Sequence, residues 1–340
     1  MLVFYDHCCL LGVFGRTFQQ IPWMKLGQHG VNIFFVLSGY LITTILLHSN
    51  SGKINLREFY TRRIFRLMPA SLFYLSFIAL ISFFIPLKPT PLVMMSCLFI
   101  FKNYVNSTAR DPFTPHYWSL SLEEQFYLVW PFLLSRFKRK ISGYCALLAI
   151  LFITVFRFVR WGAYIHRFGR AEVRGDAILI GCLLAIILFE NEAVSKWFQR
   201  YGNVVLRGCA PLFIADIFYF HDLIPTHENV LIALMIGSTV HCPHMLASRI
   251  LETKVFRTIG VMSYSIYLWH LIWLTANWGW TALVLCPASI CFSWICIEKP
   301  GIAWGRQWIQ RWNHARRLPT LMTPSGIPYP SPNVEAGSEP

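Results

Sequence analysis

Apolar runs of about 17 to 20 residues recur along almost the whole chain, and this pattern restricts the fold more than any motif. A run of that length, wound as a helix, crosses a hydrocarbon core of roughly 30 Å. Inside such a core each backbone N–H and C=O needs a partner, which a helix supplies from its own segment. Ten candidates lie near residues 1–13, 30–48, 67–85, 118–135, 143–160, 175–190, 204–220, 229–246, 261–277 and 280–297. The fold expected is therefore all-α, a polytopic membrane bundle of about ten transmembrane helices. The first run is too short to cross, so that helix is read as truncated, and the eighth is interrupted by His241, Pro243 and His244. Hydrophobic residues make up 55% of the chain and charged residues 14%, and the mean hydropathy is +0.48, which excludes a soluble enzyme.

The basic residues orient the bundle. With the N-terminus inside, the clusters Lys53 to Arg66, Arg136 to Lys140, Lys196 to Arg207, Arg249 to Arg257 and Lys299 to Arg317 fall on one face and hold 20 of the 30 Lys and Arg. That face is read as cytoplasmic. The stretch Arg157 to Arg174 breaks the rule and points either to an anion site or to a misplaced span. The net charge of +14 is mostly this topology signal, and no nucleic-acid module accompanies it. Residues 1–300 form one integral membrane domain, 301–317 a basic amphipathic segment expected on the cytoplasmic membrane surface, and 318–340 a disordered tail rich in Pro, Ser and Gly. No cleavable signal pattern opens the chain. The loop from Pro86 to Pro115 is expected to cap the external face as a partly re-entrant segment. The ten cysteines have no CxxC spacing and read as small buried hydrophobes. No metal site is expected; the sequence His241-Cys242-Pro243-His244 reads as a helix end with a proline stop.

Five constellations carry possible chemistry. The stretch from His116 to Pro131 runs a polar cluster into an apolar helix, and Glu123 and Glu124 there are costly to bury unless paired, protonated or facing a polar cavity. An interfacial helix start with solvated glutamates is the competing reading. Asp6 and His7 interrupt the apolar opening run, where an imidazole could serve as a general base. Arg62 and Arg63 precede Arg66 by four and three residues, so on a helix their guanidiniums converge as a fork suited to phosphates, or as a lipid anchor. Ser263, Tyr267 and His270 fall on one helical stripe, lining a bundle interior or binding helix to helix. Arg174 and Asp176 are expected to neutralise each other as a structural ion pair.

Together these segments resemble the membrane-bound acyltransferase 3 family, whose members O-acylate carbohydrates and other extracytoplasmic acceptors. The resemblance covers about residues 1–300. It rests on the His7 run, Gly30-Val31-Asn32-Ile33-Phe34-Phe35-Val36-Leu37-Ser38-Gly39-Tyr40-Leu41-Ile42, the stretches Arg62 to Ala70, Trp118 to Pro131, Arg174 to Gly181 and Gly260 to His270, and Ile297-Glu298-Lys299-Pro300. It implies transfer of an acyl group, usually acetyl, from cytoplasmic acyl-CoA to a hydroxyl across the inner (cytoplasmic) membrane. The acceptor would be a carbohydrate or glycolipid, with no permanently bound cofactor. By the same resemblance His7, Glu123 and Tyr127 would be catalytic, with His7 either deprotonating the acceptor or briefly carrying the acyl group. Arg63 and Arg66 would match the family's paired arginines and hold the donor, acetyl-CoA or another acyl-CoA, with Arg62 added from the fork read above. Asn32, Ser38, Trp118, Ser119, Arg174, Asp176, Ser263, Tyr267 and His270 would line the substrates. Membrane lipids are the remaining expected partners.

Two departures from the family pattern stand out. Members usually carry Arg or Lys eleven residues before the histidine, whereas six residues precede His7 here, so either an upstream start or an inactive, truncated relic is expected. The common Gly-Val-Asp is Gly30-Val31-Asn32, which keeps hydrogen bonding and loses a charge. The rival reading is a transporter or exporter of an acylated or anionic molecule. It is disfavoured because the two halves show no internal repeat.

Overall fold

The computed structural model describes residues 26–48, 54–84, 89–105, 111–159, 169–219, 226–275 and 281–317, and among them no strand occurs. Helix α1 is Leu26–Leu47 and α2 is Leu56–Ile81, opened by Asn55, whose side chain accepts from the Glu58 N–H. A short α3, Pro91–Leu98, starts with Pro in its first turn behind a Thr90 cap. Then follow α4, Tyr117–Arg136, α5, Arg139–Val159, α6, Ala171–Glu190, α7, Glu192–Tyr219, and α8, Thr226–His241. Short α9, Leu246–Leu251, and α10, Lys254–Val261, lead into α11, Ser263–Thr275, and α12, Thr281–Phe292. A π-helical turn, Ser293–Glu298, joins α12 to α13, Lys299–Arg317.

Two apolar cores share one helix. The first gathers Phe35 and Val36 of α1, Tyr127 and Trp130 of α4, Ile178 and Cys182 of α6, and Ile232 of α8. The second gathers Tyr74 and Ile78 of α2, Tyr117 and Leu120 of α4, and Leu268 and Ile272 of α11. Helix α4 thus stands at the seam, one face in each core. The first core is closed by glycine contacts: a Cβ at Gly39 would lie 2.0 Å from the Ile178 carbonyl oxygen, and one at Gly181 would lie 2.0 Å from that of Val36. Without side chains the two backbones approach closely, the usual means by which membrane helices pack.

Four described helices are long and apolar enough to cross a membrane: Leu26–Leu47, Leu56–Ile81, Arg139–Val159 and the continuous Thr281–His314. A fifth arises if α6 and α7, bent by 106° at their junction, count as one broken span. Of the expected ten, the first, residues 1–13, lies outside the described residues, and among the described ones polar side chains and length intervene. Helix α8 has 16 residues and α11 has 13, while α4 carries Glu123 and Glu124. Helix α13, which holds the segment 301–317, continues α12 through the π turn and lies against α2, with Gly301 and Gly305 fitted around Phe65 and Arg57 stacked 3.5 Å over Trp312. The span after Pro86 holds α3 and a 3-10 turn, pinned by a buried Lys102–Asp111 ion pair at 3.1 Å.

Candidate functional site

Glu123 and Tyr127 stand four residues apart on α4, so they stack on one face. That face meets Ser38 of α1. Glu123 Oε1 accepts from Ser38 Oγ at 2.5 Å and from the Tyr127 hydroxyl, and the two hydroxyls also touch each other. Arg63 of α2 brings its guanidinium 3.4 Å from the same oxygen and 3.3 Å over the Tyr127 ring. Glu123 is 6% exposed, and the cation with two hydroxyls offsets the cost of burying its charge.

This constellation opens on a cavity of about 510 Å³. Ser38, Arg63, Arg66, Glu123 and Tyr127 form its polar end, and α1 supplies an apolar wall of Phe34, Leu37, Leu41 and Ile45. Ser263, Tyr267 and His270 of α11 complete the lining, as their shared stripe predicts. His270 Nδ1 donates to the Tyr267 carbonyl at 2.6 Å, and Tyr267 bonds Ser119 and the His116 carbonyl. Such a chamber can hold an anion on its guanidiniums and present a hydroxyl to a fixed carboxylate, with an apolar wall alongside. The two neighbouring glutamates diverge: Glu124 faces a separate crevice beside Ser121 and Tyr264.

Several expected residues lie elsewhere. Arg62 does not converge with Arg63 and Arg66; it turns outward, 56% exposed, and pairs with Glu58 one turn earlier. The 100° step between Arg62 and Arg63 puts them on different faces of α2. The expected Arg174–Asp176 pair is replaced by longer-range partners. Asp176 takes Arg157 at 2.8 Å, together with Thr226 and Asn229, while Arg174 donates to Asn32 Oδ1 at 2.6 Å and lies 5.4 Å from the Trp118 ring centre. Two residues apart on a helix, Arg174 and Asp176 point to different neighbours. Asn32, Ser119, Arg174 and Asp176, all buried, and the half-buried Trp118 therefore form support beside the cavity. His7 and Asp6 lie outside the described residues. Among the described residues no group of three or more His, Cys, Asp or Glu converges as a metal site.

Two more buried polar residues belong to this support: Glu228, not singled out in the sequence, and Arg157, which opens the basic stretch Arg157 to Arg174 noted above. Glu228 of α8 accepts from His29 Nδ1 at 2.9 Å and from Asn32 Nδ2 at 3.1 Å, and Arg157 reaches across from α5. The rule that draws attention to Glu123 applies equally to Glu228. In the sequence, however, Thr226-His227-Glu228-Asn229 reads as the polar edge of a span.

Residues 1–298 match the family described as the acyltransferase domain. The chain is 32% identical over 285 residues to the O-acetyltransferase OatA of Staphylococcus aureus (strain NCTC 8325 / PS 47), covering 73% of this chain and 46% of that protein. It is 30% identical to the peptidoglycan O-acetyltransferase OatA of Listeria monocytogenes, over 74% of this chain and 45% of the relative. It is 29% identical to the putative peptidoglycan O-acetyltransferase YrhL of Bacillus subtilis, over 73% and 44% respectively. The chain spans less than half the length of these curated relatives, and no solved structure matches it. With nearly the whole helical region matched, this chain belongs to the membrane-bound acyltransferase 3 family.

Proposed function

We propose that the chain is a multi-pass O-acyltransferase of the cytoplasmic membrane. It moves an acetyl group from cytoplasmic acetyl-CoA to a hydroxyl of an extracytoplasmic carbohydrate, with peptidoglycan the acceptor favoured by its relatives' names. The observation that carries this reading is Glu123, held by Ser38, Tyr127 and Arg63 at the polar end of a chamber whose other wall is apolar. Arg63 and Arg66 bind donor phosphates, and the apolar wall takes the thioester arm and acyl group. In the reaction the acceptor oxygen attacks the thioester carbonyl, the carbon–sulfur bond breaks, and the hydroxyl proton ends on the departing thiol. His7 takes that proton as general base and passes it to the thiolate; in the alternative route its imidazole nitrogen attacks the thioester first and releases the thiol, and the acceptor oxygen then displaces the imidazole from the acyl carbon. Glu123 and Tyr127 fix the geometry in which this occurs.

The test is ester-linked acetate on peptidoglycan, measured by mass spectrometry in a deletion strain carrying this frame, its Glu123→Gln form or its His7→Ala form. Acetate restored by the parent and lost in both variants supports the reading. Acetate restored equally by all three would refute it.

A further inference from the structure

Beside the cavity, four helices meet through a chain of buried side chains. Arg174 of α6 is 1% exposed and donates to Asn32 Oδ1 at 2.6 Å. Asn32 of α1 donates from its amide nitrogen to Glu228 Oε1 of α8 at 3.1 Å, and His29, one turn earlier on α1, donates to the same oxygen at 2.9 Å. Glu228 is 1% exposed and Asn32 is likewise buried. The guanidinium of Arg174 also faces Trp118, in the first turn of α4, and Trp118 packs edge-on against Phe35 of α1.

An amide cannot neutralise a cation. Asn32 can only pass on a polarity set by its neighbour, and its nitrogen points at a carboxylate while its oxygen points at the arginine. Both contacts run in the direction that Glu228 imposes: negative charge on α8, an oriented amide on α1, positive charge on α6. The chain starts on α8, passes through α1, which carries Ser38 six residues after Asn32, and ends on Trp118, five residues before Glu123 on the same helix. It thereby ties together the two helices whose meeting makes the Ser38–Glu123 contact.

We propose that Glu228 is a positioning residue for the acyl-transfer site: through Asn32 it holds Arg174 against the head of α4 and sets α1 and α4 in the register that brings Ser38 to Glu123. The inference rests on the acyltransferase reading above. It places a carboxylate that serves Arg174 on α8, where the position on α1 nearest Arg174 holds only an amide.

The experiment is a charge relocation in the full chain, read by peptidoglycan acetate per unit of membrane protein and by thermal stability in detergent. Glu228→Gln is expected to lower transfer by about 10- to 100-fold, the cost of a small misplacement in a catalytic constellation. Adding Asn32→Asp moves the carboxylate from α8 to α1 and is expected to return transfer to within about threefold of the parent, a non-additive rescue. Combining Glu228→Gln with Arg174→Met removes both charges and is expected to recover thermal stability without recovering transfer. A merely structural ion pair would recover both. Transfer by Glu228→Gln equal to the parent, a charge relocation no better than the single variant, or full transfer by the charge-free pair would each overturn the inference. A parent chain that transfers nothing would sink the acyltransferase reading itself, and the positioning role with it.

Discussion

Replacing Gly181 with alanine puts a methyl carbon where the backbone has left no room. The new Cβ would sit 2.0 Å from the Val36 carbonyl oxygen and 2.8 Å from the Tyr40 nitrogen, so the first contact is 1.0 Å short of the 3.0 Å that Cβ atoms keep. Both obstacles are backbone atoms inside α1 and cannot rotate aside, so α1 and α6 must separate by about that distance. Overpacking of this kind costs about 1–3 kcal/mol. Because Ser38 lies on the displaced stretch of α1, the same shift draws its hydroxyl off Glu123, and a misplacement near 1 Å can cost about 100-fold in rate. Gly208 on α7 is the matched control: a Cβ there meets nothing within 4 Å, so Gly208→Ala should gain about 0.5–1 kcal/mol from helix propensity alone. The assay pairs the temperature of half-unfolding in detergent with acetate transferred per unit of folded protein. A Gly181→Ala chain as stable and as active as the Gly208→Ala chain would refute the close-packing argument.

Arg63→Ala should raise the acetyl-CoA KM by about 10-fold or more through loss of a charged contact, whereas Arg62→Ala, whose partner is a surface pair with Glu58, should change stability by at most about 1 kcal/mol and leave KM unchanged. Steady-state kinetics on the two variants separates these outcomes. Asp111→Asn removes the carboxylate paired with Lys102 in a site where the two side chains are 0% and 1% exposed, and should cost up to about 3–5 kcal/mol, read as a drop in thermal stability. Gly301→Val, whose Cβ would meet the Phe65 carbonyl oxygen at 2.5 Å, should loosen α13 from α2, detected as faster protease cleavage after Lys299 than in the parent.

Much of the architecture was legible one residue at a time. Helix and membrane character follow from local apolarity, because a lipid-embedded backbone has few ways to satisfy itself. The stripe of Ser263, Tyr267 and His270 follows from helical periodicity, and each lines the cavity. A buried carboxylate such as Glu123 stands out because its desolvation demands a partner. Which partner answers is a different question. The sequence placed Arg62 with Arg63 and Arg174 with Asp176 because they are neighbours, yet the structure gives Arg62 to Glu58, Asp176 to Arg157, and Arg174 to Asn32. The Glu228–Asn32 contact spans 196 residues, and the Ser38–Glu123 contact spans 85. Local sequence determines where a charge must be satisfied, since that cost is paid by the residue and its immediate surroundings. The tertiary structure alone decides by whom, since helix crossing points, here those allowed by Gly39 and Gly181, bring distant side chains within hydrogen-bonding distance.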